Sequence, residues 1–148
     1  MIACIQRVAQ CSVTVDGCMI SSIGRGLLIF LGVHKDDTDR DITLLVRKCL
    51  GLRIFPDSKT KMNLSISDVH GELCVVSEFT LLGDVSHGLR PFFGDAAEPE
   101  KAKEFYEQFM KMIHESGISI VGGVFGAHME VSMVNDGPVT ILLDSRNL

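Results

Sequence analysis

Gly26-Leu27-Leu28-Ile29-Phe30-Leu31-Gly32-Val33 runs through eight positions without one polar side chain. Side chains along a strand point alternately to two faces. An unbroken apolar run therefore needs cover on both faces, which predicts a central strand. The rest of the chain has to supply that cover. Ser12-Val13-Thr14-Val15 alternates polar and apolar, as a half-buried strand does. Asp16-Gly17 follows and predicts a tight hairpin, with Cys18 to Ile23 returning antiparallel. A second core strand region is expected over Glu72 to Leu82, centred on Leu73-Cys74-Val75-Val76.

Two helices provide candidate cover. The first is expected to start near Asp37-Thr38-Asp39, whose short polar side chains can cap free N–H groups. Ile42, Leu45, Val46, Cys49 and Leu50 then form one apolar stripe, and Gly51 marks its end. The second begins at Pro99, a residue suited to the first helical position. It buries Ala102, Phe105, Tyr106, Phe109, Met110 and Ile113, and Gly117 closes it. Leu52-Arg53-Ile54-Phe55 reads as a short strand closed by Pro56-Asp57, and Gly83 to Glu98 as a long polar loop of the kind often used in function. Met129 to Val134 and Val139 to Leu143 read as two strands with an ordinary turn between them. The expected fold class is mixed α/β: a mainly antiparallel, barrel-like β core with two covering helices, in one domain spanning residues 1–148.

Composition narrows the classes of function. The net charge of −5 gives no support to broad charge-driven nucleic-acid binding, though a local basic patch is compatible with it. No apolar run approaches the roughly 20 residues of a membrane helix. Met1 to Arg7 has neither the basic region nor the long apolar stretch of a signal peptide, so a cytoplasmic protein without membrane contact is expected. The five cysteines, Cys4, Cys11, Cys18, Cys49 and Cys74, include no Cys-x-x-Cys pair, which argues for buried, reduced thiols. His34, His70, His87, His114 and His128 are scattered without metal-binding spacing, so no metal or cofactor is expected.

Candidate chemistry concentrates in three places. Ser77-Glu78-Phe79-Thr80-Leu81 ends a buried run in two hydroxyls and a carboxylate, where rigid polar groups can face a cleft. Thr80 could orient or activate a nucleophile and Ser77 could donate to a substrate carbonyl; equally, both could satisfy backbone groups where the strand stops. Phe125-Gly126-Ala127-His128-Met129 could clasp a planar base through its aromatic ring and thioether, or simply pack in the core. His128 there is either pocket lining or a surface residue. Gly122-Gly123 permits close backbone approach or a turn. In Asn135-Asp136-Gly137-Pro138-Val139-Thr140 the Gly-Pro pair is rigid and leaves carbonyls exposed, which suits reading another molecule's shape. Arg7, Arg25, Lys61 and Arg90 are phosphate partners or solvated surface charges.

Ser77-Glu78-Phe79-Thr80-Leu81 and Asn135 to Thr140 resemble the two signature segments of the D-aminoacyl-tRNA deacylases. Ile5 to Val8, Ser12 to Gly17, Ile23 to Leu27, Leu52 to Phe55, Lys61 to Ser65 and Arg90-Pro91 are similar to that family too. The resemblance covers essentially the whole chain. It implies a D-aminoacyl-tRNA deacylase-like fold and a homodimeric esterase acting on a tRNA 3′ end that carries a D-amino acid or glycine. By the same resemblance, Gly137-Pro138 is cis and enters the partner subunit's site, where its carbonyls reject L-side chains. Ser77, Glu78 and Thr80 become catalytic candidates, and Phe79, Phe125 and Met129 join Gly137 and Pro138 as substrate-binding ones. The family's nucleophile is a water. One departure stands out: Glu78 occupies a position where the family pattern has glutamine. An amide donates hydrogen bonds, whereas an ionised carboxylate only accepts. Glu78 could instead serve as a general base for the water. A non-catalytic dimeric module that binds a nucleotide or amino acid in the same pocket is the alternative.

Overall fold

The computed structural model describes residues 1–148. Its frame is one long strand, β1 (Ile2–Val15), bent across a six-stranded sheet. The hairpin is where Asp16-Gly17 placed it: both residues adopt positive φ, 50° and 76°, and β2 (Cys18–Ile23) returns antiparallel. β3 (Gly26–Gly32) pairs antiparallel with the first half of β1. β6 (Glu72–Ser77) then lies parallel to β3, and β7 (Ile120–Gly122) parallel to β6. β8 (Glu130–Asp144) runs antiparallel along the opposite side of β1. The sheet order is β2-β1-β3-β6-β7, with β8 on β1, and the sheet curls so that β2 approaches β6 and β7. A small hairpin of β4 (Phe55–Pro56) and β5 (Met62–Leu64) stands outside it.

The apolar run of β3 is covered on both faces, as its composition requires. Leu27, Ile29 and Leu31 face a large core shared with Ala3, Ile5, Leu73 and Val75. That core is closed by α1 (Asp39–Gly51) through Ile42, Leu45, Val46 and Cys49, and by α2 (Pro99–Glu115) through Phe105, Tyr106, Phe109 and Ile113. Leu28 points the other way, into a smaller cluster inside the curl with Val8, Cys11, Val13, Ile23, Cys74 and Val76. The β3–β6 contact is close: a Cβ on Gly26 would lie 1.9 Å from the Glu72 carbonyl oxygen. α1 begins at Thr38, whose backbone N–H and hydroxyl both donate to the Asp41 carboxylate at 2.9 Å. The Met1 ammonium is buried against Asp37 Oδ1 (2.5 Å) and Ser145 Oγ (2.6 Å).

Four expectations need correction. Asn135 to Thr140 is not a turn between two strands, because β8 is continuous from Glu130 to Asp144. Val8 faces Asn135 and Gln6 faces Thr140, so residues 136–139 bulge opposite Arg7 alone. Proline lacks the ladder donor, and a bulge on a strand paired along one side is where a sheet tolerates it. β6 stops at Ser77, and Phe79–Leu82 coil into a 3₁₀ turn instead of continuing to Leu82. The strand expected over Leu52–Phe55 is only Phe55–Pro56. All five cysteines are free, but Cys18 is exposed and Cys4 half-buried; only Cys11, Cys49 and Cys74 are buried. No helix is long and apolar enough to cross a membrane.

Candidate active site

Where β6 ends, the sheet and the start of α2 part to leave a cavity of about 520 Å³, the size of ordinary small-molecule sites. Its apolar lining comes from Phe30, Val76 and Val131 of the sheet, from Ala97, Pro99 and Ala102 around the start of α2, and from Phe125 and Met129. Ser77, Glu78 and Phe79 stand at the polar end. Five of the eight candidate residues thus meet around one mostly apolar space. His128 lines the same cavity and is exposed, so the pocket and surface readings both hold.

The polar end is fixed by the backbone. Glu78 N–H donates to the Leu31 carbonyl at 2.8 Å, extending the β3–β6 ladder one residue past the strand. The chain then turns into the 3₁₀ segment, and a Cβ on Gly32 would sit 3.0 Å from the Glu78 carbonyl oxygen. Thr80 Oγ1 donates to the Glu78 carboxylate, so a base does stand beside Thr80. Thr80 itself is exposed and does not line the cavity. Phe79, 55% exposed, stacks edge-on against Phe93 with ring centroids 5.0 Å apart.

The Phe125–Met129 wall leans on α2. The Tyr106 ring lies 6.1 Å from that of Phe125, and its hydroxyl donates to the Val75 carbonyl at 2.9 Å. Burial pushes the Tyr106 phenol up to about 12, so it stays a neutral donor. Gly122 and Gly123 are there for close approach: a Cβ on either would come within 2.4 Å, of Tyr106 Oη and of Met129 Sδ respectively.

Gly137 and Pro138 are not at this cavity. Their peptide bond is cis, and both residues are exposed on the β8 bulge. Arg7 holds that bulge, which corrects its reading as a surface or phosphate-binding charge. Only 8% exposed, it donates from Nε to the Asp136 carbonyl (3.0 Å), pairs with the Asp136 carboxylate (3.1 Å) and donates from a terminal nitrogen to the Ile54 carbonyl. The signal was present in β1: Arg7 is in phase with the buried Ala3 and Ile5. Asn135 completes the bulge, accepting from Val139 N–H at 2.9 Å and donating to Gln6 Oε1, which also accepts from Thr140 Oγ1 at 2.6 Å. No group of three or more His, Cys, Asp or Glu side chains is placed to hold a metal ion.

This fold and this pair of motifs have relatives. The family model for D-Tyr-tRNA(Tyr) deacylase matches residues 4–144. A D-aminoacyl-tRNA deacylase of Thermotoga petrophila is 52% identical over 148 residues, covering 100% of this chain and 99% of its own. That of Aquifex aeolicus is 51% identical over 148 residues, covering 100% of both chains. Among solved structures, a c-Myc DNA unwinding element binding protein superposes with a TM-score of 0.92 at 42% identity, covering 97% of this chain and 98% of its own. A structure described as "a probable eukaryotic D-amino acid tRNA deacylase" shares the fold at a TM-score of 0.81 and 17% identity, covering 96% and 97%. The chain belongs to the D-Tyr-tRNA(Tyr) deacylase family and is an enzyme of the hydrolase class.

Proposed function

We propose that the chain hydrolyses the ester joining a D-amino acid to the 3′ end of tRNA, as a homodimer with active sites at the subunit interface. The observation that carries this is the meeting of Ser77, Glu78, Phe79, Phe125 and Met129 around one cavity in a chain of this family. Phe125 and Met129 offer an aromatic face and a polarizable sulfur to the terminal adenosine. The ester then lies at the strand end. Water adds to its carbonyl carbon, the bond to the ribose oxygen breaks, and the water's proton passes to that oxygen. Free D-amino acid and tRNA leave. Ser77 and backbone N–H groups support the carbonyl oxygen as it gains charge, and the neighbouring ribose hydroxyl helps place the water. Glu78 takes the water's proton and hands it on to the departing ribose oxygen, with its carboxylate held in position by the Thr80 hydroxyl.

Chirality is read by backbone. The Gly137 and Pro138 carbonyls of one subunit face the α-carbon of the substrate in the other. An L-side chain would collide with them, a D-side chain points away, and glycine has nothing to reject. Glycyl-tRNA, including glycine mischarged on tRNA-Ala, is therefore also a substrate. Three features support the dimer. Gly137 and Pro138 are exposed away from their own chain's cavity. β8 pairs with β1 alone, leaving an edge free. Met133, Val134 and Leu142 on β8 are 38%, 50% and 65% exposed. This is translational proofreading, which places the enzyme in the cytoplasm.

Incubation with D-tyrosyl-, L-tyrosyl- and glycyl-tRNA tests the reading: the first and third should be deacylated and the second spared. Release from none of them would replace the esterase by a nucleotide- or amino-acid-binding module. Glu78→Gln, which removes the carboxylate but keeps the side chain's size, should lower kcat about 100-fold. A rate equal to wild type at every pH would remove Glu78 as the base.

A further inference from the structure

Arg25, Arg53, Lys59 and Lys61 gather on and against the β4–β5 hairpin, while the chain as a whole carries −5. The Arg25 guanidinium lies over the Phe55 ring, 5.4 Å from its centroid. Arg53 is anchored to β5, donating from Nε to the Asn63 carbonyl at 2.7 Å and from a terminal nitrogen to Asn63 Oδ1. Lys59 and Lys61 stand exposed on the connecting turn, and neither ammonium takes part in an ion pair of the chain.

The acids of this face are occupied locally. The Asp57 carboxylate accepts from Lys59 N–H (2.8 Å), Lys61 N–H (3.1 Å) and Asn63 Nδ2 (3.2 Å), so it shapes the turn from within. Asp68 accepts from the backbone and hydroxyl of Ser65, both at 2.8 Å, and Glu72 accepts from Gly24 N–H at 2.8 Å. Lys59 and Lys61 thus stand exposed and unpaired while the neighbouring carboxylates are engaged by donors of their own segments, an arrangement ready for an external anion.

Position supplies the second observation. One Arg7 guanidinium donates both to the Ile54 carbonyl, next to β4, and to the Asp136 carbonyl in the bulge. The hairpin is therefore tied to the segment that carries Gly137 and Pro138. Wherever that segment meets the substrate, the hairpin is delivered alongside.

We propose that the β4–β5 hairpin is a phosphate-binding surface for the acceptor arm of the tRNA, gripped through Lys59 and Lys61 with Arg25 and Arg53 behind them. This rests on the deacylase reading above and extends it from the terminal nucleotide to the arm. The negative net charge then has a use: it repels RNA from the rest of the surface, so that binding is confined to this face.

The test is the double variant Lys59→Gln/Lys61→Gln, assayed on full-length D-tyrosyl-tRNA and on 3′-O-D-tyrosyl-adenosine, which lacks the arm's phosphates. On tRNA, kcat/KM should fall about tenfold near 0.05 M salt, through KM, and the slope of its logarithm against log salt should shrink by roughly 1.4–1.8 for two lost contacts. Activity on the adenosine ester should stay within twofold, and Lys59→Arg/Lys61→Arg should restore tRNA activity. An unchanged tRNA rate and salt slope would overturn the proposal, as would an equal loss on both substrates. If the wild-type enzyme deacylates neither substrate, the deacylase reading fails instead. The same salt-slope comparison, made on binding of uncharged tRNA, then decides the hairpin's role.

Discussion

Arg7→Met should cost the fold about 3 kcal/mol and should blunt D/L discrimination by more than that loss alone explains. The magnitude follows from what the guanidinium holds. Two charge-assisted hydrogen bonds, to the Asp136 and Ile54 carbonyls, are worth roughly 1.5–3 kcal/mol each when one partner is removed. The Asp136 carboxylate is 45% exposed, so its ion pair adds less than about 1 kcal/mol. Methionine recovers part of the sum, because its stem still packs beside Ala3 and Ile5. Against a total stability of about 5–15 kcal/mol the variant folds, melting lower by roughly 10 °C. Locally the effect is larger. Asp136 is released to water and the bulge loses its tie to the β4 side, keeping only the Asn135 and Gln6 bonds. In the proposed dimer, a bulge that is free to move no longer presents Gly137 and Pro138 at one distance from the substrate's α-carbon. The D/L ratio of deacylation rates should drop at least about tenfold, the equivalent of 1.4 kcal/mol. Thermal melts by circular dichroism, with initial rates on D- and L-tyrosyl-tRNA, measure both. Arg7→Lys should fall between, since it keeps the charge but not the fork. A lower melting temperature with an intact D/L ratio would refute positioning and leave Arg7 as a brace for the fold. An unchanged melt would refute the energetic argument itself.

Two further outcomes can be stated from individual contacts. Tyr106→Phe should cost only about 0.5–1 kcal/mol in urea unfolding, because the Val75 carbonyl keeps its second donor, Gly123 N–H at 3.1 Å; a loss above about 2 kcal/mol would contradict this. With its phenol raised to about 12, Tyr106 contributes stability that is complete below the ordinary value near 10 and is lost as pH rises toward 12, so the phenylalanine variant should have a flatter alkaline limb. At Asp41, burial alone would raise the pKa, but hydrogen bonds from Ser145 and Thr38 outweigh it and lower it from 3.8 to about 2. Its contribution is present above pH 4 and fades as pH falls to about 2. After discount for solvent screening, Asp41→Asn should lose about 1 kcal/mol at neutral pH and unfold less steeply over that acid window; overlaid acid titrations would dismiss the cap.

The sequence made the layers legible because both periods were clear: an unbroken run for β3, steps of three and four for α1 and α2, Asp-Gly for the first hairpin. What it hid were relations between distant segments. The parallel pairing of β3 with β6 leaves no local mark, since both strands read simply as apolar. No strand-breaking residue marks the end of β6 at Ser77, where the cavity opens. Phe125 and Met129 read as a clasp or as core, but only the curl of the sheet brings them into one cavity with Ser77 and Glu78. The charge of Arg7 suggests the surface, although its phase with the buried Ala3 and Ile5 points inward. The Gly-Pro segment reads as a turn because those residues usually make one. A bulge needs the same backbone freedoms, and only the register against β1 tells the two apart.

That distinction bears on selectivity. A turn at the tip of a hairpin is held at its two ends and moves with every fluctuation of its strands. The bulge on β8 is held from within as well: β1 flanks it through Gln6 and Val8, and Arg7 fills the gap between them. Rejecting an L-side chain requires a wall that does not yield. In the proposed mechanism, a wall built of backbone and braced by a buried guanidinium would meet that demand without touching the D-side chain. In the proposed dimer, stringency comes from how stiffly the bulge is mounted, and breadth toward D-amino acids comes from what the cavity leaves empty. The two can then vary independently, with changes at Arg7, Gln6 or Asn135 acting on the first and changes at Phe125 or Met129 acting on affinity for the nucleotide.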